Sequence, residues 1–131
     1  MTPLRIILYL WVLPTSCAGL LFLPFVRLTG GGYQIIDGVL ELYGGMVELF
    51  LCRFTLLKGG ATAMTLGHVV LGRDRAALQW SRAHERVHVR QCERWGPLFL
   101  PAYGIASVLA VIRGQRAYLD NSFEREAYKL A

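Results

Sequence analysis

The sequence lacks the features of a disulfide scaffold and of a nucleic-acid reader. Its cysteines, Cys17, Cys52 and Cys92, are odd in number, far apart and form no CxxC pair, which argues against a disulfide framework and agrees with a reducing compartment. The net charge is +5, but no helix-turn-helix, finger spacing or aromatic base-reading pattern accompanies it. We therefore expect no nucleic-acid partner. The cationic residues between 73 and 94 instead predict a solvated helix face that is attracted to anionic lipid head groups.

Apolar residues make up 54% of the chain and concentrate in two runs, residues 6–26 and 98–112. The first run is long enough to span a bilayer, and Arg5 and Arg27 flank it. A cleaved signal peptide is the alternative, but the run is long and its small-residue segment is a poor cleavage site. We predict a single membrane anchor at residues 1–29 and a domain at residues 30–131, with the domain on the cytoplasmic side.

Glycine-rich turns divide the segment after the anchor into short apolar stretches that favour strands. Gly30, Gly31 and Gly32 predict a hinge between the anchor and the domain. Because the connections are short, a three-stranded antiparallel meander is the simplest arrangement. The predicted strands are residues 39–43, 46–54 and 63–71.

Helical patterns dominate the second half of the chain. Residues 75–95 contain no glycine or proline, Asp74 offers an N-cap, and Gly96 with Pro97 ends the pattern. The run at 98–112 is short for a membrane span and favours a buried hairpin helix or a re-entrant segment. A last helix begins near Phe123. The predicted fold class is α+β: an anchor helix, a small antiparallel sheet, a polar helix, an apolar helix and a terminal helix.

The polar helix carries the motif His84-Glu85-Arg86-Val87-His88. Two histidines four residues apart lie on one helix face, so both imidazoles can reach one metal ion. Glu85 projects beside them, close enough to take a proton from a metal-bound water. This is the H-E-x-x-H arrangement, in which the glutamate is the general base of a zinc hydrolase.

Two histidines are too few ligands, since a catalytic zinc has three protein ligands and one open position. Glu124, on the last helix, is the best third ligand, and Glu126 is its rival. Asn121 and Glu124 also have the spacing of a capping box, in which the glutamate only closes the start of a helix.

The motif followed by a glutamate on a later helix resembles the zincin metallopeptidases and, among them, the glutamate-ligand group, the gluzincins. In several such families the later helix carries E-x-E-A, to which Glu124-Arg125-Glu126-Ala127 is similar. The resemblance implies a zincin-like minimal core, zinc as cofactor, Glu124 as ligand and a peptide substrate. Tyr128 stands where some families have an aspartate. Residues 84–91 are also similar to small uncharacterised bacterial proteins with H-E-x-x-H-x-x-Q.

Several other residues are candidates for supporting roles. The strand at 63–71 precedes the metal helix, and its edge is a place where an extended peptide can pair. His68 on that strand is either an oxyanion contact or a solvent-facing side chain, and Tyr118 and Tyr128 are further oxyanion donors. Cys92 favours a small buried thiol. Gln91 either orients a metal ligand or is a helix-surface residue.

Together these patterns predict a zinc-dependent, membrane-associated metallopeptidase that acts on a peptide or protein and contacts membrane lipid. One alternative is a non-catalytic, zinc-stabilised module attached to the membrane. A second is a metal-free membrane interaction protein, whose basic helix docks on lipid.

Zinc analysis of the purified protein separates the metal-binding functions from the metal-free one. We expect about one zinc per chain in the wild type and a loss of most of it in His84→Ala and in Glu124→Ala, because each change removes one of three protein ligands. The measurement is atomic emission on dialysed protein. A wild-type protein without zinc would contradict the assignment.

Overall fold

In the computed structural model, residues 2–53 and 60–131 are described, and they form an α+β fold with a mixed sheet. The elements follow one another as α1 (Pro3–Leu20), α2 (Phe22–Leu28), β1 (Gly32–Ile36), β2 (Val39–Tyr43), α3 (Gly45–Arg53), β3 (Ala63–Leu66), β4 (Val69–Gly72), α4 (Arg75–Trp95), a 3₁₀ turn (Gly96–Leu98), α5 (Phe99–Ile112) and α6 (Ser122–Leu130). The α+β class predicted from the sequence is confirmed.

The sheet has the order β1-β2-β4-β3, with β2 and β4 parallel and both outer pairs antiparallel. The predicted three-stranded antiparallel meander is therefore wrong. Strand β1 was missed, although Asp37-Gly38 marks a two-residue hairpin turn in which both residues have positive φ. The predicted strand at 63–71 is a hairpin, because Gly67 and His68 form a turn between β3 and β4.

The strand predicted at residues 46–54 is also wrong, since Gly45–Arg53 is the helix α3. Val47 and Leu51 are four residues apart and fully buried, which is a helical spacing. A short apolar run does not distinguish a strand from a buried helix by its periodicity. Helix α3 belongs to the crossover that parallel β2 and β4 require. Phe54, the last residue of the predicted strand, lies outside the described residues.

Two apolar clusters cover the two faces of the sheet. Leu42, Val69 and Leu71 belong to the cluster that contains α2 and α3 residues, and Val70 belongs to the one that contains α4 residues. Helix α4 starts and ends as predicted. Asp74 Oδ1 accepts a hydrogen bond from the Ala77 amide at 2.7 Å, and Gly96 caps the C-terminus.

Helix α1 packs closely against the rest of the molecule. The His68 amide donates to Ser16 Oγ at 3.0 Å, and Thr15 Oγ1 donates to the Gly96 carbonyl at 3.2 Å. Gly67 and Gly96 have positive φ, and a Cβ at either would overlap an α1 residue, Ser16 or Trp11. The division at residues 1–29 and 30–131 stays a prediction, but α1 and the domain share these contacts.

Two continuous helical stretches, Pro3–Leu28 and Arg75–Ile112, each contain a window that is long and apolar enough to cross a membrane by length and composition alone. In the second, the apolar part is α5, whose 14 residues extend about 21 Å, less than the hydrocarbon core of a bilayer. Helix α5 is not a buried hairpin helix, since most of its apolar side chains are exposed. These are Leu100, Ile105, Val108, Leu109, Val111 and Ile112.

A buried ion cluster joins the sheet to α4. Glu41 on β2 is fully buried, and its carboxylate accepts hydrogen bonds from Arg82 and Arg86 at 3.0–3.2 Å and from Gln34 at 2.9 Å. Burial alone raises the pKa of a carboxyl. The hydrogen bonds from Arg82 and Gln34 and the charge of Arg86 outweigh that effect and hold the pKa of Glu41 below its ordinary value of 4.5.

Replacing Glu41 should destabilise the fold in a pH-dependent way. We expect Glu41→Gln to lower the free energy of unfolding by about 3 kcal/mol near neutral pH, because two arginines lose their partner. A depressed pKa stabilises the fold above the unfolded value of 4.5, and this contribution disappears as the pH falls through the folded value. Urea unfolding in detergent should thus show the wild-type advantage shrinking below about pH 4.5. Glu48→Gln, an exposed change on α3, should show neither effect.

Candidate metal centre

Three groups of the candidate centre come from consecutive turns of α4. The rings of His84 and His88 have centroids 4.9 Å apart, as their helical spacing requires. Glu85 is buried between α4 and β3, where Thr65 Oγ1 donates to its Oε1 at 3.0 Å. One ligand atom from each of His84, Glu85 and His88 can be chosen so that all lie within 4.8 Å of one another, a group able to hold a metal ion.

Glu124, in the first turn of α6, reaches the two histidines with one carboxylate oxygen. Its Oε1 lies 2.9 Å from His84 Nε2 and 3.0 Å from His88 Nε2. Ligand atoms around a tetrahedral zinc are about 3.3 Å apart when each bond is about 2.0–2.1 Å long. The two distances from Glu124 Oε1 to the histidine nitrogens are therefore within a few tenths of an ångström of the spacing between zinc ligands. Two imidazoles and a carboxylate are also a donor set that catalytic zinc takes.

The start of α6 does not use Glu124 as a capping-box residue. Asn121 Oδ1 accepts from the Phe123 amide at 2.8 Å, so the asparagine caps the helix. The backbone amide of Asn121 donates to the Tyr118 carbonyl at 3.1 Å and not to the Glu124 carboxylate, as a capping box would require. The Glu124 carboxylate is thereby left to the histidines.

Tyr103, on α5, is a contact that the sequence did not indicate. Its hydroxyl donates to Glu124 Oε2 at 2.5 Å, so both carboxylate oxygens are engaged. Asn121 Nδ2 donates to the Tyr103 carbonyl and to Ser107 Oγ, which holds α5 against the start of α6. The sequence did offer one indication of a polar contact on α5: Tyr103 and Ser107 are four residues apart in an apolar run, so they lie on one face of the helix.

Gln91 orients His88 from the next turn of α4. His88 Nδ1 donates to Gln91 Oε1 at 2.8 Å, while Gln91 Nε2 donates to the Phe123 carbonyl at 3.0 Å and to Glu126 Oε1 at 2.9 Å. The two acceptors settle which way the amide points, and this places the proton of a neutral His88 on Nδ1. His88 Nε2 then faces Glu124: it donates a hydrogen bond to the carboxylate when the ring is protonated, and it has a free lone pair for a metal ion when the ring is neutral. Glu126, the rival ligand, contacts Gln91 instead of the histidines.

The two carboxyl groups of the cluster, Glu85 and Glu124, have pKa values shifted in opposite directions. Burial favours a neutral Glu124, but hydrogen bonds from His84 and His88, the charge of His88 and the Tyr103 hydroxyl lower its pKa to about 2. For Glu85, burial is the largest effect and raises its pKa, although the two histidine charges oppose it. Glu124 is thus a constant anion suited to a cation, and Glu85 is the more basic group, as a proton acceptor should be.

The other predicted site residues divide between this centre and a different part of the molecule. The Tyr128 ring lies 4.4 Å from the His84 ring, and Tyr118 lines cavities on both sides of the cluster. His68 lies apart, with Nε2 3.0 Å from Glu93 Oε2 and its ring 4.3 Å from that of Tyr9. Cys92 is a buried thiol, as predicted, and burial raises its pKa to about 12.

Two cavities flank the cluster along strand β3. An apolar cavity of about 160 Å³ lies between β3 and α5 and touches His88. A second, of about 510 Å³, lies beside His84 and Glu85. Ala63 of β3 lines both cavities, so the strand runs past the candidate centre.

Strand β3 is at the edge of the sheet formed by the described residues. The Thr62 carbonyl accepts from the Arg73 amide at 3.2 Å, so residue 62 faces β4. Because peptide groups alternate along an antiparallel pair, those of Ala63 and Thr65 face the outer edge. This edge is a template on which an extended chain can pair.

No protein-family profile, curated protein or solved structure matches this chain.

Loss of the Gln91 side-chain amide should weaken metal binding without removing a ligand. We expect Gln91→Met to lower zinc affinity about 10- to 100-fold, because His88 loses the acceptor that orients its ring. Competition with a chromophoric chelator measures the change. Gln79→Met, an exposed change on the same helix, is the matched control and should leave the affinity unaltered. Equal affinities for both variants would contradict the role given to Gln91.

Proposed function

We propose that this protein is a zinc-dependent hydrolase, a small membrane-associated metallopeptidase of zincin-like design. The observation that carries the proposal is the position of Glu124 Oε1, within 3.0 Å of the Nε2 atoms of both His84 and His88. The two helices that supply these groups are separate in sequence, and one carboxylate oxygen contacts both imidazoles beside the buried Glu85. An incidental pair of surface histidines has no reason to share a buried carboxylate.

The chain's residues then have distinct roles. His84, His88 and Glu124 would hold the zinc, which when bound would polarise a carbonyl and make water a nucleophile near neutral pH. Glu85 would accept a proton from the attacking water and deliver it to the leaving amine. Its Oε2 is 3.9 Å from His84 Nε2, and its other oxygen is held by Thr65, so the carboxylate is positioned before substrate arrives.

A peptide is the substrate that the surroundings of the cluster favour. The outward-facing peptide groups of Ala63 and Thr65 can pair with an extended chain that lies along β3. The cavities on either side of the cluster then receive neighbouring side chains. In this arrangement Tyr118, which lines both cavities, is a better oxyanion donor than His68, which contacts Glu93.

Membrane association is supported by the apolar surface of the N-terminal helices and of α5. Helix Pro3–Leu28 is the proposed anchor, and the exposed side chains of α5 are proposed to enter the lipid surface without crossing it. The same length and composition occur in signal sequences, but the contacts of Thr15 and Ser16 with the domain favour an anchor that is retained. Arg27, after the anchor, favours a cytoplasmic domain.

The role of Glu85 has a direct test. We expect Glu85→Gln to keep about one zinc per chain and to lower peptide hydrolysis by about 10²- to 10⁴-fold, because the amide is the same size but accepts no proton. Hydrolysis is measured on a mixed library of quenched fluorescent peptides with the full chain in detergent. Glu48→Gln, far from the cluster, is the control and should retain full activity.

Two outcomes would overturn the enzymatic proposal. Hydrolysis that survives in Glu85→Gln at the wild-type rate would show that another group takes the proton. Zinc retained by a wild-type protein that hydrolyses no peptide in the library would favour the non-catalytic module, in which the metal only joins α4 to α6.

A further inference from the structure

A second polar cavity lies on the other side of α4 from the metal centre. It has a volume of about 450 Å³ and lies between the start of α1, the β1–β2 turn and α4. Arg86 and Arg90 follow His84 by two and six residues, which places them about 200° and 240° around the helix from it. We call this the arginine cavity. Its polar lining is Arg5, Tyr9, His68, Arg86, Arg90 and Glu93, together with Asp37.

Two of the residues that line the arginine cavity carry a buried nitrogen atom with no hydrogen-bond partner among the described residues, Arg86 Nη1 and His68 Nδ1. His68 is only 8% exposed, and its other nitrogen contacts Glu93 Oε2. Arg86 Nη2 is already bonded to the Ile36 carbonyl and to Glu41. A buried donor is disfavoured without an acceptor, and a guanidinium nitrogen can only donate. Arg86, which lines the cavity, therefore has one donor that no described residue satisfies.

The charges of the lining also favour an anion. Three guanidinium groups line the cavity with two carboxylates, and Arg86 is also paired with Glu41, which it shares with Arg82. Arg5 Nη2 donates to the Asp37 backbone carbonyl at 2.9 Å, which holds the first turn of α1 over the cavity. Arg90 is exposed at the cavity mouth. Arginine forks are the groups that recognise phosphate oxygens in pairs.

We propose that the arginine cavity binds a phosphate group, and that Arg5, Arg86 and Arg90 contact its oxygens. The site is independent of the proposed hydrolase function. Arg5 lies near the start of the apolar helix Pro3–Leu28, the part of the chain proposed to contact lipid. A lipid head group is thus one source of the phosphate, and a soluble phosphate compound is the other.

The test uses the full chain in a neutral detergent and chloride buffer. Inorganic phosphate is titrated by calorimetry, and short-chain phosphatidate is then added as a competitor. The variants are Arg90→Gln and the double variant Arg5→Gln/Arg90→Gln. Arg94→Gln is the matched control, since Arg94 is an exposed cation one turn further along α4 and is not part of the lining. Thermal melting of each variant verifies that it is folded.

We expect saturable binding that weakens at least about tenfold in the double variant and less than about twofold in Arg94→Gln. Displacement by phosphatidate at a much lower concentration than inorganic phosphate identifies a lipid head group. Similar concentrations identify a soluble phosphate compound. Absence of saturable binding of both probes up to about 10 mM would overturn the proposal. Equal losses in Arg90→Gln and Arg94→Gln would do the same, because they indicate unspecific attraction to positive charge.

Discussion

One buried carboxylate determines how the C-terminal half of this protein is arranged. Glu124 is 3% exposed, and a buried anion persists only when it is compensated by charge and hydrogen bonds. Its compensation comes from His84 and His88 on α4 and from Tyr103 on α5. The groups that satisfy the carboxylate are also those that would share a metal ion with it. Helix–helix packing and site geometry are therefore consequences of the same interaction.

Two side-chain amides next to the cluster hold the three helices α4, α5 and α6 together. Gln91 links His88 to the start of α6, and Asn121 links α6 to α5. Each amide has donors and acceptors on both sides, so neither is free to rotate without losing a bond. A cluster held in this way would need little rearrangement to hold an ion, which is the preorganisation that a metal centre requires.

Helix α4 separates two chemically different surfaces. The side that carries His84 and His88 faces α5 and α6, whereas Arg86, about half a turn away, meets Glu41 of the sheet and the arginine cavity. Because the sheet holds α4 through a buried ion cluster, the basic character of this helix does not imply nucleic-acid binding. Part of its positive charge is used inside the fold, and part remains at the proposed phosphate site.

Local sequence signals determined the extent of α4, the facing of its histidines, its caps and the apolar runs, because each depends on residues within a turn or two of one another. Sheet order, the helix at Gly45–Arg53 and the positions of Tyr103 and His68 were decided only by tertiary structure. A short run of apolar residues looks the same in the sequence whether it forms a strand or a buried helix. Parallel pairing of β2 with β4 joins residues that are far apart in the chain, so local patterns do not reveal it. The contact of Tyr103 with the buried Glu124 carboxylate likewise depends on how α5 packs against α6, which the sequence around Tyr103 does not reveal.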